Sequence, residues 1–106
     1  MNGADLIESA YSADRYTEES KVTKTEMATI LMKSYHVPFT VTFVKQGGEE
    51  RTLRGLLIEP EPVMGRSKVE DLDITGSKQS RFRLVDHRSL ISLIVGGKKY
   101  ILKGKK

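Results

Sequence analysis

Gly96-Gly97, set between Ser92–Val95 and Lys98–Leu102, most narrows what this chain can become. Two glycines between apolar, β-branched runs specify a two-residue hairpin, because only glycine takes left-handed angles at both turn positions without strain. That register puts Leu93, Val95, Tyr100 and Leu102 on one face and Ile94 and Ile101 on the other. A ribbon with apolar residues on both faces belongs inside a sheet that curls, so the hairpin argues for a small barrel.

Ahead of it, Arg81 to Val85 alternates, predicting Phe82 and Leu84 inward and Arg81 and Arg83 outward. Asp86-His87-Arg88-Ser89 reads as a turn, with Asp86 as its cap. Phe39 to Val44 and Arg51 to Ile58 form another alternating pair around Gly47-Gly48. A strict two-residue loop would set Phe43 opposite Thr52. One more residue sets Phe43 opposite Leu53, Val41 opposite Gly55 and Phe39 opposite Leu57, and the apolar match favours this bulged turn. Gly55 then faces a core residue, where a sheet curls or another backbone approaches.

Thr23-Lys24-Thr25-Glu26 has the capping-box form, and Met27, Ile30, Leu31 and Tyr35 follow at helical spacing. A helix over 24–36 is expected, ended by Pro38. Residues 1–22 read as a loosely ordered acidic head, with a short amphipathic turn at Leu6, Ile7 and Tyr11. Glu59-Pro60-Glu61-Pro62 reads as an exposed extended link, and Val63 to Ser80 as a long loop with a short strand near Leu72 to Ile74. The expected fold is therefore mainly β with an N-terminal helix. It is a small SH3-like (Sm-like) antiparallel barrel of about five strands over 39–103, within one domain spanning 23–106.

Composition supports an intracellular reading. The 106 residues hold no cysteine, which excludes disulfides and thiolate metal sites, and no apolar run reaches the length of a membrane span or signal core. The cytoplasm of a host cell is the expected location. The net charge of +4 is unevenly spread. Residues 1–20 hold five carboxylates against Arg15, a net of −4, whereas residues 74–106 hold nine cations against Asp86, a net of +8. Such asymmetry points to an anionic partner for the basic half.

The segments FTVTFVKQGGEERTLRG, SKVEDLD and RFRLVDHRSLISLIVGGKKYIL resemble a family of small bacteriophage proteins with an Sm-like barrel, distantly grouped with the WYL ligand- and nucleic-acid-binding domains. Thr52 to Gly55 is similar to the end of that family's opening hairpin, and Arg81 to Leu84 to its central basic strand. The resemblance implies a phage origin and a small regulatory role. The chain has no tryptophan, so the aromatic that names the wider group is absent and a small-molecule ligand is not expected.

Catalytic chemistry finds little purchase. Asp86, His87 and Ser89 are triad residue types, but they crowd one turn, where side chains diverge. His36 suits a helix end. Two histidines without cysteine make no usual zinc site, and Glu70, Asp71 and Asp73 lack the calcium-loop glycine and distal glutamate. Gly76-Ser77-Lys78 lacks the upstream glycine of a phosphate loop. No enzyme activity, catalytic residue, metal or cofactor is expected.

The basic residues offer more. Arg81 and Arg83 stand about 7 Å apart by strand rise, and guanidinium forks suit phosphate oxygens. With Arg88, Arg54, Lys98, Lys99 and Lys103 they form the expected nucleic-acid face, giving weak, salt-dependent backbone contact. Phe82 and Tyr100 are expected in the core, leaving no stacking platform. The competing expectation is a module that grips a host protein, such as transcription or defence machinery, through Met27, Ile30, Leu31 and Tyr35. A homodimer is open to either reading.

Overall fold

The computed structural model describes residues 14–74 and 81–104. Seven strands form a single sheet: β1 (Glu18–Val22), β2 (Phe39–Val44), β3 (Glu50–Glu61), β4 (Arg66–Asp71), β5 (Phe82–Asp86), β6 (Leu90–Val95) and β7 (Lys98–Leu102). Among the described residues one α-helix, α1 (Lys24–Met32), follows β1, and 3₁₀ turns at Pro62–Met64 and His87–Ser89 join β3 to β4 and β5 to β6. The strand order is β1-β7-β6-β2-β3-β4-β5. The fold is mainly β, as expected, but with seven strands rather than about five, and the barrel does not close. β1 and β5 end the order without pairing to each other. No helix among the described residues is long and apolar enough to cross a membrane. The expected turn at Leu6–Tyr11 and Gly76-Ser77-Lys78 lie outside the described residues.

The second hairpin forms as its glycines require. Gly96 and Gly97 have φ of 62° and 79°, and Leu93 pairs with Tyr100 across a two-residue loop. The first hairpin keeps the expected parity but shifts its partners by two. Val41 faces Leu53, Phe39 faces Gly55, and Phe43 faces Arg51 rather than Leu53. The loop is Gln46 to Gly48, closed by Lys45 N–H on the Glu49 carbonyl at 2.7 Å, with Gly48 at φ 95°. Phe43 finds its apolar neighbour on the other side, opposite Leu90 of β6. Gly55 faces a core phenylalanine, and a Cβ there would stand 2.9 Å from the Glu70 carbonyl oxygen.

β3 runs on through Glu59-Pro60-Glu61, where an extended link was expected, and pairs with β4 beyond an irregularity between Leu57 and Glu59. Proline is tolerated because β2 ends its pairing at Gly55. The alternation fixed by Asp71 N–H on the Arg81 carbonyl turns the missing Pro60 donor to the vacated side. β4 occupies six residues of the expected loop. Its inward residues are Ser67, Val69 and Asp71, so its buried face shows one apolar residue in three.

Residues 18–22, assigned by composition to the loose head, form β1 and pair in parallel with β7. Val22 enters the core beside Met27, Ala28 and Leu31 from α1 and Phe39, Val41, Leu53, Val69, Val85, Leu90 and Leu93 from the sheet. The capping box is made: Glu26 N–H donates to Thr23 Oγ1 at 3.0 Å and Thr23 N–H to Glu26 Oε1 at 2.8 Å. The helix ends at Met32 rather than His36. Ser34 Oγ donates to the Ile30 carbonyl at 2.7 Å, and His36 takes φ 63°, a left-handed angle that stops further turns.

Candidate binding surface

β5 is turned over relative to its apolar pattern. Phe82 and Leu84 are 41% and 53% exposed, while Arg81, Arg83 and Val85 share the inward side, where Val85 is fully buried. Val85 and its partner Ser67, deep in the molecule, set the phase, and the period of two carries both arginines with them. The expectation of Phe82 and Leu84 in the core is therefore corrected.

The predicted nucleic-acid residues are spread along the strand order. Arg81, Arg83 and Arg88 lie at the β5 end of the sheet; Lys98, Lys99 and Lys103 lie on or just after β7, near the other end. Most of these cations are engaged. Arg81 meets Glu70 at 3.4 Å, Arg54 meets Asp73 at 2.9 Å, Arg88 meets Asp86 at 3.2 Å and Lys98 meets Glu18 at 3.9 Å. Arg83 Nη1 donates to the Phe82 carbonyl at 3.1 Å, and the Lys99 ammonium sits 5.3 Å from the Tyr16 ring centroid. Lys103 joins β1 through its backbone, N–H on the Val22 carbonyl at 2.7 Å. Arg54 and Lys99 do share a row, Arg54–Thr40–Ile94–Lys99, across four strands on the face opposite the core.

The helix residues expected as a partner grip are mostly spent on the fold. Met27 and Leu31 are fully buried and Ile30 packs against the core, which leaves Tyr35, beyond the helix, about half exposed.

The Asp-His-Ser turn holds no relay. Asp86 accepts from Arg88 N–H at 2.8 Å and from its guanidinium, which holds the carboxyl below its ordinary range. Ser89 Oγ donates to the Asp86 carbonyl at 2.7 Å. His87 Nε2 instead lies 2.8 Å from Ser67 Oγ. Ser67 is fully buried, and burial pushes the His87 pKa down. The pair pins the 3₁₀ turn to β4, beside the His87 N–H bond to the Gly65 carbonyl at 2.8 Å. Glu70, Asp71 and Asp73 each carry an arginine, and no metal-holding acidic or histidine cluster occurs among the described residues.

β5 ends the strand order with the Phe82 and Leu84 side chains exposed. The Asp71–Arg81 bond sends the amides of Arg81, Arg83 and Val85 toward β4, so those of Phe82, Leu84 and Asp86 point to the side away from β4. Leu84 forms a ridge between two grooves. One, about 410 Å³, is lined by Arg66, Lys68 and Phe82; the other, about 430 Å³, by Phe43, Val44 and Asp86. The Lys68 ammonium lies 5.2 Å from the Phe82 ring centroid. Val63 and Met64, in the turn leading into β4, are also exposed. A sequence reading misses this surface because it takes apolar alternation as inward.

No protein-family model matches this chain, and neither a curated protein nor a solved structure matches it.

Proposed function

We propose that this chain is a non-catalytic binding module that takes an extended segment of a protein partner as an added strand along β5. The observation that carries the reading is the exposure of Phe82 and Leu84 on a strand ending the sheet. Edge strands in soluble proteins are guarded by charge or cover, because open amides with apolar side chains recruit other strands. Here Arg83 shields the Phe82 carbonyl, while the apolar pair stays in solvent beside two grooves able to receive alternate side chains of a partner.

Charge favours protein over phosphate at this surface. Arg81, Arg88 and Arg66 are matched by Glu70, Asp86 and Glu61, so a polyanion would have to displace carboxylates. The reading takes in the resemblance to small phage proteins, where a module of this size would modulate host machinery in the cytoplasm.

Selection from a library of extended eight-residue peptides, followed by titration, tests the proposal. Leu84→Asp and Phe82→Asp should each weaken a selected peptide at least about tenfold with unchanged thermal stability, since both side chains lie at the contact centre. N-methylation at alternate peptide positions should abolish binding in one phase and spare it in the other. Peptide affinity indifferent to Leu84→Asp would overturn the reading. Steeply salt-dependent oligonucleotide binding, lost in Arg81→Ala/Arg83→Ala, would return the surface to phosphate recognition.

A further inference from the structure

A second surface, independent of the β5 reading, lies on the outer face of β7, β6, β2 and β3. Its two paired rows are Arg54–Thr40–Ile94–Lys99 and Thr52–Thr42–Ser92–Ile101. Hydroxyls fill its middle, with Thr42 and Thr52 oxygens 2.9 Å apart, and cations stand at both ends of the first row. By strand spacing those cations are about 14 Å apart.

The chain covers this face with its own acidic segment. The Asp14 carboxylate accepts from the Thr40 hydroxyl. The Tyr16 ring lies under the Lys99 ammonium and Glu19 is opposite Lys99 in register, whereas the Glu18–Lys98 pair sits on the helix-facing side of the sheet. A carboxylate on a hydroxyl, with a flat ring on an ammonium, is what a nucleic-acid strand offers as phosphates and bases.

The cover is lightly held. Residues 14–19 are all exposed, and Val22 alone within 14–22 is buried. An edge strand with one buried side chain opens at a small fraction of the global unfolding free energy.

We infer that residues 14–20 are an intramolecular competitor for single-stranded nucleic acid, which displaces them to reach Thr40 and Lys99. Binding is then suppressed in the resting chain and strengthened wherever the segment's charge is lost.

Asp14→Asn/Glu18→Gln/Glu19→Gln keeps Val22 and the backbone pairing, and should bind oligo(dT) or oligo(U) about tenfold more tightly at low salt, with a steeper salt slope. Glu49→Gln/Glu50→Gln/Glu59→Gln, with the same charge change elsewhere, should gain less than about twofold, because unlocalised charge adds only weak attraction. Lys99→Gln in the first variant should erase most of its gain. In the unaltered chain, saturating oligonucleotide should deprotect the Thr17 amide, which bonds to the Gly97 carbonyl. Equal gains in both triple variants, a gain that survives Lys99→Gln, tighter binding to poly-glutamate than to oligonucleotide, or unchanged amide protection would each overturn the inference.

Discussion

Ser67 Oγ and His87 Nε2, 2.8 Å apart, tie the turn after β5 to the start of β4. Desolvation pushes the His87 pKa below its ordinary 6.5, so the unfolded chain binds the proton first as pH falls. Stability should therefore be insensitive to this group above pH 6.5 and decline below it, until folded His87 also titrates. Urea midpoints measured between pH 7.5 and 5 check this. Asp86, held low by Arg88, acts only at more acidic pH. A rising midpoint on acidification through that window would contradict the placement of His87.

Gly55 fills a position no side chain can share. Its Cβ would meet the Glu70 carbonyl oxygen at 2.9 Å and Leu53 Cδ1 at 3.0 Å, and β4 backbone has nowhere to move. Gly55→Ala should destabilise by about 1–3 kcal/mol, the usual cost of overpacking, despite alanine's lower unfolded-state entropy. Thermal unfolding of the variant reads this directly.

The helix residues should separate sharply. Leu31→Ala opens a cavity in the core and should cost about 2–5 kcal/mol, whereas Tyr35→Ala, beyond the helix end, should stay within about 0.5 kcal/mol. Denaturant unfolding of the pair distinguishes a helix docked on its own sheet from one held out for a partner.

Thr23 satisfies an otherwise unpaired helix donor, and Glu26 reciprocates. Thr23→Ala should cost about 0.5–2 kcal/mol. Since Thr23 also joins β1 to α1, hydrogen exchange should quicken in both elements rather than in the helix alone.

Sequence carried the local signals well and the long-range ones poorly. Gly96-Gly97 and the Thr23–Glu26 box each dictate geometry within a few residues, and both form as read. β4 escaped notice because its inward residues, Ser67 and Asp71, are polar and find partners in His87 and Arg51. β1 escaped because its pairing partner lies some eighty residues away and only Val22 is apolar and buried. On β5, apolar residues outnumber Val85 two to one on the opposite phase, so pattern alone chooses the wrong face. The exposure of Phe82 and Leu84 is that conflict made visible, and local rules fail most often where a surface has a use.

The parallel union of β1 with β7 has a consequence for how the molecule is made. β1 has no place in the sheet until β7 has emerged, so it must wait unattached while the intervening hairpins assemble. Until the two strands then join, the edge of β7 and its lysines are bare, and the new chain meets its anionic surroundings before it covers itself.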